Sequence, residues 1–70
     1  MPFEYDVDNI FTYHDPKEGQ TEKYAELRYE AGLLAVRVLD LCPNSPERTL
    51  ALRKLEEFVM WANTSIARNE

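Results

Sequence analysis

Two apolar repeats organise the chain. Tyr24, Leu27, Ala31, Leu34, Val38 and Leu41 fall at spacings of 3, 4, 3, 4 and 3, and Leu52, Leu55, Val59, Ala62 and Ile66 at 3, 4, 3 and 4. Side chains three and four apart share one face of an α-helix, and so narrow a stripe is the one a helix uses along a partner helix. Each repeat predicts a helix of roughly 21 residues, about 30 Å long. Between them runs LCPNSPER, where Pro43 stops the first helix. Ser45, Pro46 and Glu47 then supply the N-cap, first position and first-turn acid of the second. A link this short folds the helices back antiparallel. The expected fold is all-α: an antiparallel two-helix hairpin, one domain over residues 1–70, with the first helix within 16–42 and the second over 46–68.

The start of the first helix has two readings. Thr21 can cap it, or Asp15 can, with Pro16 at the first helical position and Glu18 three residues on. Gly19 weakens the longer version. The expectation is a short turn or helix at 16–19, a break near 19–21 and a continuous helix from about Thr21. Residues 1–15 form a short N-terminal arm. Its opening, MPFEYDVDNI, has no clear period and is expected to be extended or irregular, while Ile10, Phe11 and Tyr13 are apolar enough to pack on the hairpin.

A hairpin has one internal seam, yet each helix carries a second apolar set. Leu33, Val36 and Leu39 lie off the first stripe, and Leu50, Phe58, Met60 and Trp61 off the second. The run Phe58 to Trp61 points around the whole helix, so one partner helix cannot cover it. A large side chain contributes about 1.5–3 kcal/mol when buried, and a contiguous exposed set invites association. A 70-residue chain is also hard to stabilise without staples. The lone Cys42 cannot form an internal disulfide, and no Cys/His cluster has metal-ligand spacing. A homo-oligomer built on the second apolar set is expected. The competing reading, a monomer with the arm folded over that face, asks three side chains to cover a helix about 30 Å long.

The formal charge of −5 argues against binding a DNA or RNA polymer, which needs many Lys/Arg contacts to phosphate. The charge is uneven, however. Residues 1–19 hold five acids (Glu4, Asp6, Asp8, Asp15, Glu18) against Lys17, whereas residues 46–68 hold four bases (Arg48, Arg53, Lys54, Arg68) against three acids. A small anion can still find a basic pocket. The opening MPFEYDVDN lacks a basic stretch followed by an apolar one, and no run approaches the ~20 apolar residues of a membrane span. The expectation is a soluble intracellular protein without membrane contact.

No catalytic arrangement emerges. His14 is the only histidine, Cys42 and Ser45 sit at helix ends, and no glycine-rich phosphate loop is present. A turn or interface role suits His14 better than catalysis, and no metal or cofactor is expected. Binding chemistry is better represented. Tyr13 offers a face on which a base can stack, and Arg28 can fork onto a phosphate. Lys17, Lys23 and Tyr24 lie in the same region, against a competing reading of solvated charges and plain core packing. Thr64 and Arg68, four apart, share a face, and Asn63 and Ser65 leave room for a polar group to approach. The competing reading there is a fraying C-terminus with Arg68 complementing the helix dipole.

FTYHDPK, then Q..KY..LR, then P.SPER.LAL.KLEE.VMWAN.SIARN together resemble the hairpin domain of the phage cyclic-nucleotide sponges. These are the anti-CBASS proteins, with a related domain in some anti-Thoeris proteins. The resemblance covers about residues 10–69 and is most specific in its second half. It implies a non-enzymatic sponge, acting in the cytoplasm of the infected bacterium, that sequesters cyclic oligonucleotide immune signals uncleaved. It also implies hexamers arranged as a trimer of dimers, with cyclic dinucleotides between protomers and cyclic trinucleotides near three-fold axes. By position, Tyr13 falls on the stacking tyrosine of the dinucleotide pocket and Arg28 on its basic residue, with Lys23 and Tyr24 as weaker members. Arg68 falls on the arginine implied at the three-fold site, with Thr64 and Ser65 assisting. Two alternatives are a phage helical interaction module without a nucleotide ligand, and a sponge for cyclic ADP-ribose-type signals.

Overall fold

A computed structural model describes residues 5–70. Three helices follow in order: α1 (Val7–Ile10), α2 (Gln20–Leu41) and α3 (Pro46–Asn69). The two long helices pack side by side as a hairpin, and the short one belongs to the arm. Most of the chain is helical, with no strand among the described residues.

The hairpin turn follows from its local chemistry. Cys42, in extended conformation, ends α2 and donates its N–H to Val38 O. Ser45 Oγ accepts the Arg48 N–H at 3.1 Å, and Pro46 takes the first turn, where a missing N–H costs nothing. The Arg48 guanidinium bridges back to Leu39 O, Cys42 O and Asn44 Oδ1, satisfying carbonyls at the end of α2.

Helix α2 begins one residue before Thr21, and neither Thr21 nor Asp15 caps it. Gly19 is the N-cap, at φ 84°, the left-handed region that glycine enters without a Cβ penalty. The glycine that argued against a longer helix is therefore the residue that lets the chain turn into this one. Gln20 Oε1 accepts the Lys17 N–H at 2.9 Å and closes the turn from inside.

The seam of α3 is the repeat itself: Leu52, Leu55, Val59, Ala62 and Ile66 are all half-buried. The seam of α2 departs from its repeat. Tyr24, Leu27, Ala31 and Val38 turn inward, but Ala35 takes the place assigned to Leu34, which is 52 % exposed, and Leu41 is exposed too. A straight helix turns 3.6 residues per turn, so after Ala31 the facing position drifts onto residue 35 unless the pair supercoils. At Leu41 the first α3 side chain turned inward is Arg48, which offers no apolar partner.

The arm corrects two further expectations. Residues 7–10, within the stretch expected to be irregular, form a helical turn capped by Asp6, whose side chain accepts the Asn9 N–H. Residues 1–4 of that stretch lie outside the described residues. Ile10 is half-buried on the hairpin, but Phe11 and Tyr13 point outward.

The hairpin is elongated, with extents of 43 × 28 × 22 Å and a radius of gyration of 15.2 Å. A compact chain of this length would measure about 11 Å. Consequently no hydrophobic residue among the described ones is buried. Leu33, Val36, Leu39, Leu50, Phe58, Met60 and Trp61, the set left off the seams, are all exposed.

Candidate functional site

One depression is a groove of about 470 Å³ between the long helices. Ala31, Gly32 and Ala35 of α2 floor one side and Leu52, Leu55 and Val59 of α3 the other, with Arg28 and Glu56 the charged residues on its walls. The small α2 residues make the groove: a Cβ added at Gly32 would meet nothing within 4 Å. Arg28 is exposed and forms no hydrogen bond or ion pair with the described residues. Its guanidinium keeps all five donors free for an anion, and it stands at an apolar wall where a flat ring could lie.

A second, shallower depression of about 240 Å³ is lined by Tyr24, Asn63, Thr64 and Ala67. It brings together Tyr24, assigned by resemblance to a dinucleotide pocket, and Thr64, assigned to a trinucleotide site. The Tyr24 hydroxyl reaches Gln20 Oε1 at 3.4 Å and Thr64 donates its hydroxyl to Met60 O at 2.8 Å. Asn63 Oδ1 is buried beside them with no hydrogen-bond partner among the described residues.

The remaining candidates lie apart from both depressions within one protomer. Tyr13 is 80 % exposed on the loop between α1 and α2. Ser65 faces solvent, and its carbonyl accepts from Asn69 Nδ2. Arg68 is half-buried, and its guanidinium makes no polar contact with the described residues. Lys23 is engaged in an ion pair with Glu70. That ammonium, hydrogen-bonded to the carboxylate, is the main reason the Glu70 carboxyl is held below its ordinary range; desolvation opposes the effect, and Gln20 and Lys17 reinforce it.

Around the end of α3 a polar cluster gathers residues the apolar pattern does not mark. Gln20 is 2 % exposed and, besides its bonds to Lys17 and Tyr24, donates Nε2 to Ile66 O and Glu70 Oε1, each at 3.4 Å. Asn9 donates Nδ2 to Arg68 O at 3.1 Å, and its own carbonyl accepts from His14 Nε2 at 2.7 Å. Lys17 Nζ bonds to Glu70 O. Helix ends leave four carbonyls unpaired, and these contacts from the arm, the turn and the start of α2 satisfy part of that need. His14 thus stabilises a turn.

A family model describing the Acb2/Tad1 hairpin domain matches residues 4–67, nearly the whole chain. The chain belongs to that family. The Acb2/Tad1 hairpin is the domain of the anti-CBASS and anti-Thoeris sponges, phage proteins that take up immune signals as ligands rather than as enzyme substrates. No curated protein and no solved structure matched the chain at a significant level. Membership in the Acb2/Tad1 family agrees with the helical hairpin seen here. Among the described residues no helix is long and apolar enough to cross a membrane, and no group of three or more His, Cys, Asp or Glu could hold a metal ion.

Proposed function

We propose that the chain binds and sequesters cyclic oligonucleotide immune signals without cleaving them, in the cytoplasm of an infected bacterium, and so inhibits CBASS defence. Cyclic dinucleotides are the first ligand class and cyclic trinucleotides the second. The observation that carries this reading is the match of the Acb2/Tad1 hairpin over residues 4–67.

The side chains supply suitable chemistry. A cyclic dinucleotide presents two phosphates and two bases, so it needs two cations and two stacking faces. One protomer offers Arg28 and Tyr13 once each; two copies related by a two-fold axis offer each twice. The exposed apolar set on α2 and α3 supports such association, because covering it adds apolar burial that the hairpin alone cannot achieve. Assembly as a hexamer, a trimer of dimers, would also repeat Arg68, Thr64 and Ser65 around a three-fold axis, where three phosphates of a cyclic trinucleotide find three guanidinium groups. Lys23 and Tyr24 border the dinucleotide region, Lys23 only after release from Glu70.

A sponge needs affinity and abundance, not chemistry on the ring. Calorimetric titration of the purified chain with cyclic GMP–AMP, followed by heating and chromatography, tests both halves: saturable binding with recovery of unaltered ligand is expected. Absence of heat with cyclic di- and trinucleotides would favour a helical protein-interaction module presenting its apolar face, and a cleaved product would mean an enzyme. Because the family joins anti-CBASS with anti-Thoeris proteins, a cyclic ADP-ribose isomer belongs in the same titration series; exclusive binding of that ligand would transfer the reading to Thoeris signals.

A further inference from the structure

Tyr13, the stacking residue of the proposed dinucleotide pocket, makes no polar contact of its own among the described residues and is 80 % exposed. Its position is set by its neighbours. Four residues earlier, Asn9 ties the arm to the last turn of α3 through Nδ2 and Arg68 O at 3.1 Å. One residue later, His14 Nε2 donates to the Asn9 carbonyl at 2.7 Å, which closes the segment from Asn9 to His14 into a loop. Four residues later, the Lys17 N–H is held by Gln20. Asn9 is the joint of this arrangement, since its side chain reaches α3 and its main chain receives His14. Asn9 and His14 are each half-buried, as an anchored pair should be, whereas Phe11, Thr12 and Tyr13 between them are exposed.

We propose that Asn9 is a positioning residue for ligand capture. Through His14 it fastens the Tyr13 loop to the Arg68 end of α3, and the ring is presented in one place instead of being sampled over many. The inference rests on the sponge reading and adds to it a residue that never touches the ligand. A loop ordered before binding spares the ligand the cost of ordering it, so apparent affinity scales with the population of the latched state. The donor, not the shape, is the requirement: aspartate matches asparagine in size but would set a carboxylate against the Arg68 carbonyl.

The test uses Asn9→Ala and Asn9→Asp in the whole chain, each alone and combined with Tyr13→Leu. Hydrogen exchange on the ligand-free protein should rise about tenfold or more over residues 9–17 in both variants, with α2 and α3 unchanged outside their ends. In titrations with cyclic GMP–AMP, each variant should bind about tenfold more weakly. Neither should add more than about twofold to the loss in Tyr13→Leu, because a residue that acts through Tyr13 has nothing left to position. Equal losses in both backgrounds, unchanged affinity, or unchanged exchange in the arm would each overturn the inference. A wild-type chain that binds no cyclic nucleotide would overturn the sponge reading and this inference with it. An arm that opens while affinity holds overturns the inference alone.

Discussion

Replacing Arg28 by alanine separates binding from folding more cleanly than any other single change. The side chain is exposed, makes no hydrogen bond or ion pair with the described residues, and sits in the middle of a 22-residue helix where alanine is at least as good a helix former. The fold should therefore lose no more than about 0.5 kcal/mol. Binding is a different matter. A charge-assisted hydrogen bond contributes about 1.5–3 kcal/mol, so removing one guanidinium from one phosphate predicts a loss of roughly 10- to 150-fold in affinity. If two protomers meet one cyclic dinucleotide, every bound ligand loses two such contacts, and the factor rises to roughly 10²–10⁴ if the sites are independent. Arg28→Lys keeps the charge but not the planar fork and should fall between wild type and alanine. Calorimetry with cyclic GMP–AMP gives the affinity, and thermal unfolding at the same protein concentration gives the stability. An affinity within about twofold of wild type in a folded Arg28→Ala protein would remove Arg28 from the site. Parallel collapse of stability and binding would make it a structural residue.

Three further outcomes follow from the geometry. Trp61 is 60 % exposed, so Trp61→Glu should leave helix content intact while lowering the sedimentation mass of the assembly; an unchanged mass would place Trp61 outside any subunit contact. Ser45→Ala removes the acceptor for the Arg48 N–H and should cost about 1 kcal/mol, a melting shift of about 4–8 °C at fixed protein concentration, and a shift below about 1 °C would mean the cap is dispensable. The Glu70 carboxyl is held below its ordinary range mainly by Lys23, so the stability it adds is complete above its unfolded-state pKa and is lost as pH falls through the lower, folded-state value. Protection from hydrogen exchange near Lys17 and Gln20, taken relative to the intrinsic rate at each pH, should fall on acidification through that range, and Glu70→Gln should abolish the fall; pH-independent protection would discount the contact.

The hairpin was legible where one mechanism dominates. The repeat from Leu52 to Ile66 predicts the half-buried apolar positions of α3, because its 3, 4, 3, 4 spacing selects one residue per turn even within the run Phe58 to Trp61. In α2 two neighbours compete at each turn, and a pattern that favours the bulkier Leu34 misses that the inward position drifts to Ala35 in a straight helix. That exchange shapes the surface: Ala31, Gly32 and Ala35 together leave the groove beside Arg28. The arm was least legible. Gln20, Asn9 and Glu70 are fixed by hydrogen bonds between residues 46 to 59 positions apart, and a polar residue in a local pattern carries no mark of a distant partner. The one available signal was Gly19, whose flexibility could be read as a turn as readily as a weakness. Tyr13 and Arg28 belong to no apolar period; their chemistry, a stacking face and a forked cation, marked them as candidates, and the resemblance supplied the pocket proposed for them.

Association of copies is the physical claim on which the pocket depends. Sedimentation equilibrium of the purified chain at micromolar concentration, with and without cyclic GMP–AMP, tests it most directly. The expected result is a discrete mass that is a multiple of the protomer, six-fold for a trimer of dimers, with ligand co-sedimenting at a fixed ratio to protein. A helical protein that stays at the protomer's 8.2 kDa in both conditions would contradict it.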